Sequence, residues 1–450
     1  MLPTNMERTS SRKSLQGKGL KNPPQVGREV SAEARAPWPR TPIGQHTMKK
    51  LSVQGVDLAG RRVLVRVDFN VPLDDERRIT DDTRIRAATS TIEYVLAQGG
   101  LPVLMSHLGR PKGERKPEFS LAPVAEHLAE VLGRKVHFAE DCVGDAAKSK
   151  VGAASPGEVV LLENLRFHAE ETDNDPGFSS ELAALGDLYV NDAFGTAHRA
   201  HASTVGVTAH FDQRASGLLM AKELENLGTL LQSPRRPFVA VLGGAKVSGK
   251  IEVIDNLLGR VDAILVGGGM AFTFFRVLGL DVGKSLVEED LLDTVKDILE
   301  RAKSSSTELV LPEDVVVSDR FAADGERKEV LATDIPDGWM GLDVGNRTVK
   351  RFGELIADAG TIFWNGPMGV FEMDAFAKGT RAVARAIAQS TEHGAQSVVG
   401  GGDSVAALVQ AKLDNKITHV STGGGASLEF MAGKSLPGVD ALSDASPSAV

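Results

Sequence analysis

Cysteine is almost absent from this chain of 450 residues, where Cys142 stands alone. An intramolecular disulfide and a zinc cluster built on several cysteines are therefore excluded, which suits a reducing cytoplasmic compartment. Uncharged apolar runs are short, and none approaches the ~18 residues that a membrane-spanning helix needs. Positive charge is not in excess either. The formal net charge of -9 argues against a nucleic-acid partner, so any anionic ligand must be held by locally concentrated cations. A secretory signal is missing as well, because the start of the chain has no apolar stretch of roughly 7 to 15 residues.

Residues 1–47 are rich in Arg, Lys, Ser, Pro and Gln and show no apolar periodicity, so they are expected to be a disordered extension. Their basic, acid-poor character fits a transit peptide. Pro23, Pro24, Pro37, Pro39 and Pro42 oppose an amphipathic helix there, however, and Met48 just before the first ordered pattern favours an over-extended start.

What is present is ordinary globular composition, 42% hydrophobic and 25% charged, at a length that suits two domains of ~200 residues each. From Leu51 onward, short β-branched runs alternate with helical patterns, the signature of an α/β fold with mostly parallel sheets. Expected strands cover 62–69, 101–107, 158–165 and 187–194, then 237–244, 262–269, 308–317, 361–367 and 396–403. Leu121, Val124, Leu128 and Val131 share one helical face behind Ser120 as expected N-cap, and Leu291, Leu292, Val295, Ile298 and Leu299 share another. The amphipathic stretch 217–232, followed by the breaker SPRRP, is expected to connect two lobes. No short tandem repeat is visible.

Open α/β sheets bind ligands beyond the carboxyl ends of their strands, so those ends carry the chemistry. In the first half they read VDFN, SHLGRP, ENLRFH and DAFGTAHRAH. Arg84, His107, Arg110, Arg166, His198 and Arg199 offer forked and ring donors suited to phosphate or carboxylate. His198 and His201 could instead be half of a metal site, although a histidine pair with Arg199 between its members is more often hydrogen-bonded structure.

In the second half the strand ends are glycine: GGAKVSGK, GGGMAF, WNGPMGVFE, GGGDS and STGGG. Close backbone approach and free N–H groups at helix starts favour a nucleotide there. Gly244, Gly249 and Lys250 match part of a P-loop, yet Ile251 stands where a hydroxyl would ligate Mg²⁺, so the match is incomplete. Lys246 and Lys250 still serve as candidate phosphate cations. Asp403, opening a helix after three glycines, is the candidate Mg²⁺ ligand, with a plain helix cap as the alternative.

From about Lys49 onward, VRVDFNVP, SHLGRPKG, LENLRFH, NDAFGTAHRAHAS, GGAKVSGKI, GGGMAFTF, WNGPMGVFE, GGGDSVAA and STGGGASLE together resemble the phosphoglycerate kinase family in order and spacing. The resemblance implies two Rossmann-like lobes, each a mostly parallel sheet flanked by helices, joined by a helical hinge. It implies a 3-phosphoglycerate lobe over 48–216, a connecting helix over 217–232, a nucleotide lobe over 233–434 and a tail over 435–450 returning to the first lobe. Asp68, Asn70, Arg84, His107, Arg110, Arg166 and Arg199 would hold 3-phosphoglycerate. Lys250, Glu372, Gly401, Gly402, Asp403 and Ser404 would contact ATP or ADP, Asp403 would meet Mg²⁺, and Arg84, Lys246 and Lys250 would be catalytic. A cytoplasmic monomer of glycolysis is expected, with no nucleic-acid or membrane partner. Gly249 departs from the Asp carried by many members, which puts the rigidity of that loop in doubt.

The residues fit that chemistry. No general base stands out, and a carboxylate acceptor, already ionised at pH 7, needs none. A kinase for another small acid would share the nucleotide half but needs fewer arginines. A nucleotide-binding protein without transfer activity is the rival from a different class.

Overall fold

The computed structural model describes residues 49–445; the expected disordered extension over 1–47 and residues 446–450 lie outside the described residues. Six strands build the first sheet: β1 (Arg62–Arg66), β2 (Leu101–Met105), β3 (Val136–Ala139), β4 (Val159–Leu162), β5 (Leu188–Asn191) and β6 (Arg214–Ser216). All pair in parallel, in the order β3-β4-β2-β1-β5-β6. Helices cover both faces, which is why the strands read as continuous apolar runs. Val63 and Val65 pack on one face while Leu64 packs on the other.

The second half repeats the plan with strands β7 (Phe238–Leu242), β8 (Ala263–Val266), β9 (Glu308–Val310), β10 (Asp314–Ser318), β11 (Arg327–Leu331), β12 (Met340–Val344), β13 (Thr361–Asn365), β14 (Gln396–Gly400) and β15 (His419–Val420). Six form a parallel sheet in the order β15-β14-β13-β7-β8-β9. The other three form a small antiparallel sheet, β11-β10-β12. The single strand expected over 308–317 is therefore two strands in two sheets. Pro312 lies between them and has no N–H to continue a ladder.

Ser120 is not the N-cap of its helix. The helix runs Ala122–Leu132 behind Leu121. The carboxylate of Glu163, at the end of β4, takes the capping role, accepting from Leu121 N at 2.8 Å and Ser120 Oγ at 2.7 Å. The Ser120 hydroxyl, its proton given to that carboxylate, accepts from Ala122 N at 3.2 Å.

Both sheets lie within one compact unit of the chain. Between them runs the helix Leu218–Gln232, which buries Met220, Leu224, Leu227 and Leu230 in an apolar core shared with both halves. Its N-terminus is tied to the first lobe. Leu218 N donates to Thr91 Oγ1 at 2.8 Å, and Met220 N donates to Asp192 Oδ1 at 3.1 Å. Asp192, at the end of β5, is fully enclosed, and burial pushes its carboxyl up to about 7. One turn further on, the helix is tied to the second lobe through Glu223, also without exposure. Its carboxylate accepts from His419 Nε2 at 2.8 Å, Thr422 N at 2.7 Å and Thr422 Oγ1 at 2.9 Å.

The end of the chain returns to the first sheet. Gly438 N donates to Ala197 O at 2.8 Å, Ser443 N to Arg214 O at 2.9 Å, and Leu51 N to Ser443 O at 2.8 Å.

Glu223→Ala is expected to destabilise the protein by about 3 kcal/mol, because it strands buried donors on His419 and Thr422. Glu223→Gln, which keeps one acceptor oxygen, should cost less. Urea unfolding of the two variants beside the parent measures both, and equal stability of all three would remove Glu223 as an inter-lobe tie.

Candidate functional site: facing strand ends of two lobes

The order β4-β2-β1-β5 makes four strands adjacent, so their carboxyl ends open into one region. Asp68 and Asn70 follow β1, His107 and Arg110 follow β2, Arg166 follows β4, and Arg199 follows the turn after β5. Arg84 joins them from the first turn of the helix Thr83–Ala97. Its Nη1 donates to Asn70 O at 2.9 Å and lies 3.4 Å from Asp68 Oδ2. Asn70 Oδ1 accepts from Gly109 N at 2.8 Å, and Arg166 Nη1 donates to Gly109 O at 2.8 Å. Asp68, Asn70, Arg84, Arg166 and the turn after β2 thus form one bonded set. A cavity of about 380 Å³ opens beside it, lined by Asn70, Val71, Pro72, Asp81 and Arg84.

Arg110 and Arg199 are exposed at the rim, whereas Arg166 and His107 are buried. Burial, then the neighbouring charges of Arg66 and Arg199, lowers Arg166 to about 10, so it remains a cation at neutral pH. Burial and the charges of Arg66, Arg166 and Arg84 push His107 well below the usual imidazole range. His201 falls to about 4 by burial and the same kind of arginine field. His198 Nε2 accepts from Arg199 Nε at 3.0 Å, and His201 Nδ1 lies 3.7 Å from Glu171 Oε1.

In the second lobe the glycine ends of β7, β8, β13 and β14 crowd together, and β15 ends in the Ser421–Gly424 turn. Gly366 adopts φ 99° against the backbone of Gly243, a conformation and an approach that a side chain would prevent. Gly401, at φ 90°, caps the helix Gly402–Ala411, leaving the amides of Gly402, Asp403 and Ser404 at its N-terminus. Ser404 Oγ accepts from Gly366 N at 2.6 Å, which joins this helix start to the end of β13. Asp403 and Glu372 are exposed. Among the described residues Asp403 has no hydrogen-bond or ion-pair partner, so both carboxylate oxygens are free for a hard cation.

Lys250 is buried and donates to Asn365 Oδ1. Burial lowers its ammonium to about 8, against the opposing pull of Asp403. Lys246 is exposed on the preceding turn. That turn is pinned by Glu288, which accepts from Val247 N at 2.6 Å and Ser248 N at 3.0 Å.

Three residues here lie outside the expectations from sequence: Arg66, Glu288 and Asn365. Asn365 stands inside the WNGP motif, where the glycine draws the eye. Its Nδ2 is buried without a partner, an orphaned donor beside Lys250 and Gly401. A third cluster, Asp141, Cys142 and His168, brings its polar atoms within 4.8 Å of one another. Its carboxylate is already shared by His168 at 2.7 Å and Arg115 at 2.8 Å, and burial holds the Cys142 thiol well above its ordinary value.

The two lobes thus present unlike surfaces, one of arginine and histidine, the other of glycine amides with a buried lysine. The chain was compared with known proteins. The profile of the phosphoglycerate kinase family matches residues 53–434. A phosphoglycerate kinase of Chloroherpeton thalassium is 57% identical over 398 residues, 88% of this chain and 100% of the relative. One from Chloroflexus aurantiacus is 56% identical over 400 residues, 88% of this chain and 100% of the relative. The solved phosphoglycerate kinase of Coxiella burnetii superposes with a TM-score of 0.78 at 42% identity, covering 87% of this chain and 98% of that one. That of Pyrococcus horikoshii OT3 gives 0.77 at 36% identity, with coverage of 87% and 98%. Sequence profile, relatives and solved structures agree: this chain belongs to the phosphoglycerate kinase family.

Proposed function

We propose that the chain catalyses the glycolytic reaction 1,3-bisphosphoglycerate + ADP = 3-phosphoglycerate + ATP, as a monomer in the cytoplasm. The observation that carries this is the pairing of an arginine-lined acid site on one lobe with an amide-lined nucleotide site on the other, in a chain of this family. We assign residues 48–216 to the acid lobe, 217–232 to the connecting helix, 233–434 to the nucleotide lobe and 435–450 to the returning tail. Among the described residues no helix is long and apolar enough to cross a membrane.

In this reading Arg84, His107, Arg110, Arg166 and Arg199 hold the anionic groups of 3-phosphoglycerate with Asn70. Asp68 can only accept, and the donor it finds on the ligand is the hydroxyl. Lys250, Asn365, Glu372 and Gly401, Gly402, Asp403 and Ser404 hold ATP or ADP. The free carboxylate of Asp403 suits Mg²⁺, which when bound neutralises phosphate charge.

The carboxylate acceptor is already ionised, so no residue has to remove a proton. Catalysis reduces to alignment and charge neutralisation. Arg84 reaches toward the acceptor from the first lobe, and Lys246 and Lys250 meet the transferring group from the second. Water must be kept away from that group, and lobe closure about the helix Leu218–Gln232 would do so.

A coupled assay with Mg-ATP and 3-phosphoglycerate tests the reading: turnover is expected, and little with acetate or aspartate. Arg84→Met should lose transition-state stabilisation on the order of 3 kcal/mol while remaining folded. Activity within threefold of the parent would remove Arg84 from the chemistry.

Because the Lys250 ammonium sits at about 8 and a nucleotide would favour its charged form, nucleotide binding should take up protons at pH 8.5 and hardly any at pH 6.5. Calorimetry in buffers of different ionisation enthalpy reads this directly. Lys250→Met should abolish the uptake.

The radius of gyration from small-angle scattering should fall most when an inert nucleotide and 3-phosphoglycerate are bound together. Equal values for the free, singly bound and ternary states would exclude large-scale closure.

A further inference from the structure

Arg66 occupies the end of β1, where its side chain is wholly enclosed, an unusual place for a guanidinium. Each of its three nitrogens has a partner. Nε donates to Ser203 Oγ at 2.8 Å, Nη1 donates to Val67 O, and Nη2 lies 3.1 Å from His107 Nδ1. Ser203 passes the interaction on, donating from Oγ to Glu171 Oε1 at 2.7 Å and from N to Glu171 Oε2 at 2.9 Å. Glu171 is itself without exposure. Arg66 is thus immobilised by a buried relay that ends on an acid, and one of its N–H groups is aimed at one ring nitrogen of His107.

A guanidinium has donors and no acceptor. The contact at 3.1 Å is a hydrogen bond only if His107 Nδ1 offers its lone pair, which leaves the ring proton on Nε2. Protonating Nδ1 would break that bond and set a cation against the guanidinium. Nε2 has no protein partner among the described residues, so its N–H is left for a ligand. We propose that Arg66 is a positioning residue that locks His107 as the neutral Nε2–H tautomer, making it an uncharged, fixed donor to the anion bound between the arginines. This rests on the reading of that region as the 3-phosphoglycerate site.

The surroundings agree from every side. Arg66 faces the ring from β1, Arg84 from the helix Thr83–Ala97, and Arg166 from the turn after β4. His201, lowered to about 4, faces it from the segment after β5. Among the described residues the carboxylate within ion-pair distance of the ring is that of Asp68, whose Oδ1 is 4.0 Å from Nδ1. That carboxylate is already engaged by Asn70 N at 3.2 Å and by Arg84 at 3.4 Å. Burial and the other arginines already keep the ring neutral, so what Arg66 adds is the choice between the two neutral tautomers, with the proton left on Nε2.

The test is nitrogen NMR on the full chain carrying ¹⁵N-labelled histidine, with His107→Gln to assign the signal. The parent is expected to show His107 as neutral Nε2–H from pH 5.5 to 9, whether or not it turns over 3-phosphoglycerate. An imidazolium or an Nδ1–H signal within that range would overturn the proposal. In Arg66→Met, an Nδ1–H population should appear, and KM for 3-phosphoglycerate should rise roughly fivefold relative to the parent. Arg66→Gln, whose amide can still donate to Nδ1, should restore the parent tautomer. Because Arg66→Met strands Glu171, the double variant Arg66→Met, Glu171→Gln is measured beside it. An unchanged tautomer in either Met variant would also overturn the proposal. A parent with the expected tautomer but no turnover would instead reject the functional reading and leave the lock standing.

Discussion

The carboxylate of Glu223 is the point on which the two-lobed arrangement turns. It sits on a helix shared by both halves of the core and collects three donors from the strand and turn that end in the second lobe's glycine loop. A buried carboxylate is tolerated only when its acceptor capacity is used, so the helix cannot rotate or slide without losing those bonds together. Asp192 holds the N-terminus of the same helix to the end of β5, and Thr91 holds it to the helix Thr83–Ala97. One element thus carries ties to both lobes within its first two turns. The strand that carries Asp192 leads directly to Arg199, and the turn held by Glu223 leads to the helix Gly425–Met431.

In the proposed reading the lobes bind anions in opposite ways. In the first, long side chains converge, and burial, followed by their mutual repulsion, lowers Arg166, His107 and His201. Asp68 and Glu171 offset part of that repulsion. In the second, side chains are removed so that backbone amides come close, and one buried lysine supplies the charge. Such a surface binds a polyphosphate of fixed geometry, while converging arginines suit a small acid with charge at both ends.

The sequence made the strand ends legible because parallel strands buried on both faces must end abruptly, and glycine or arginine at successive ends is hard to produce by packing alone. Arg66 was not legible. It falls within the alternation of RVLVR, where a charged residue reads as the exposed end of a strand, and only the fold shows that helices cover it. Glu288 and Glu171 were hidden for a related reason, since each acts on residues far away in sequence. The split of 308–317 was concealed by six β-branched or apolar residues around one proline, and the cap of the helix Ala122–Leu132 by a plausible local serine.

Gly249 raised the question of whether the loop carrying Lys246 and Lys250 is rigid. The answer comes from outside the loop. Glu288 accepts two successive amides, and although burial alone would raise its carboxyl, bonds from Ser248 and Val247 and the charge of Lys246 hold it below the usual range. A charge-assisted pair of bonds of this kind fixes backbone more firmly than a side chain at position 249 could by sterics. The side chains then diverge. Lys250 is held against Asn365 beneath the loop, while Lys246 projects from the pinned backbone into solvent. A fixed cation suits the phosphates that stay with the nucleotide, and a cation on a free stem suits a group that changes partners. A pinned loop with one enclosed and one exposed lysine would suit both without backbone movement.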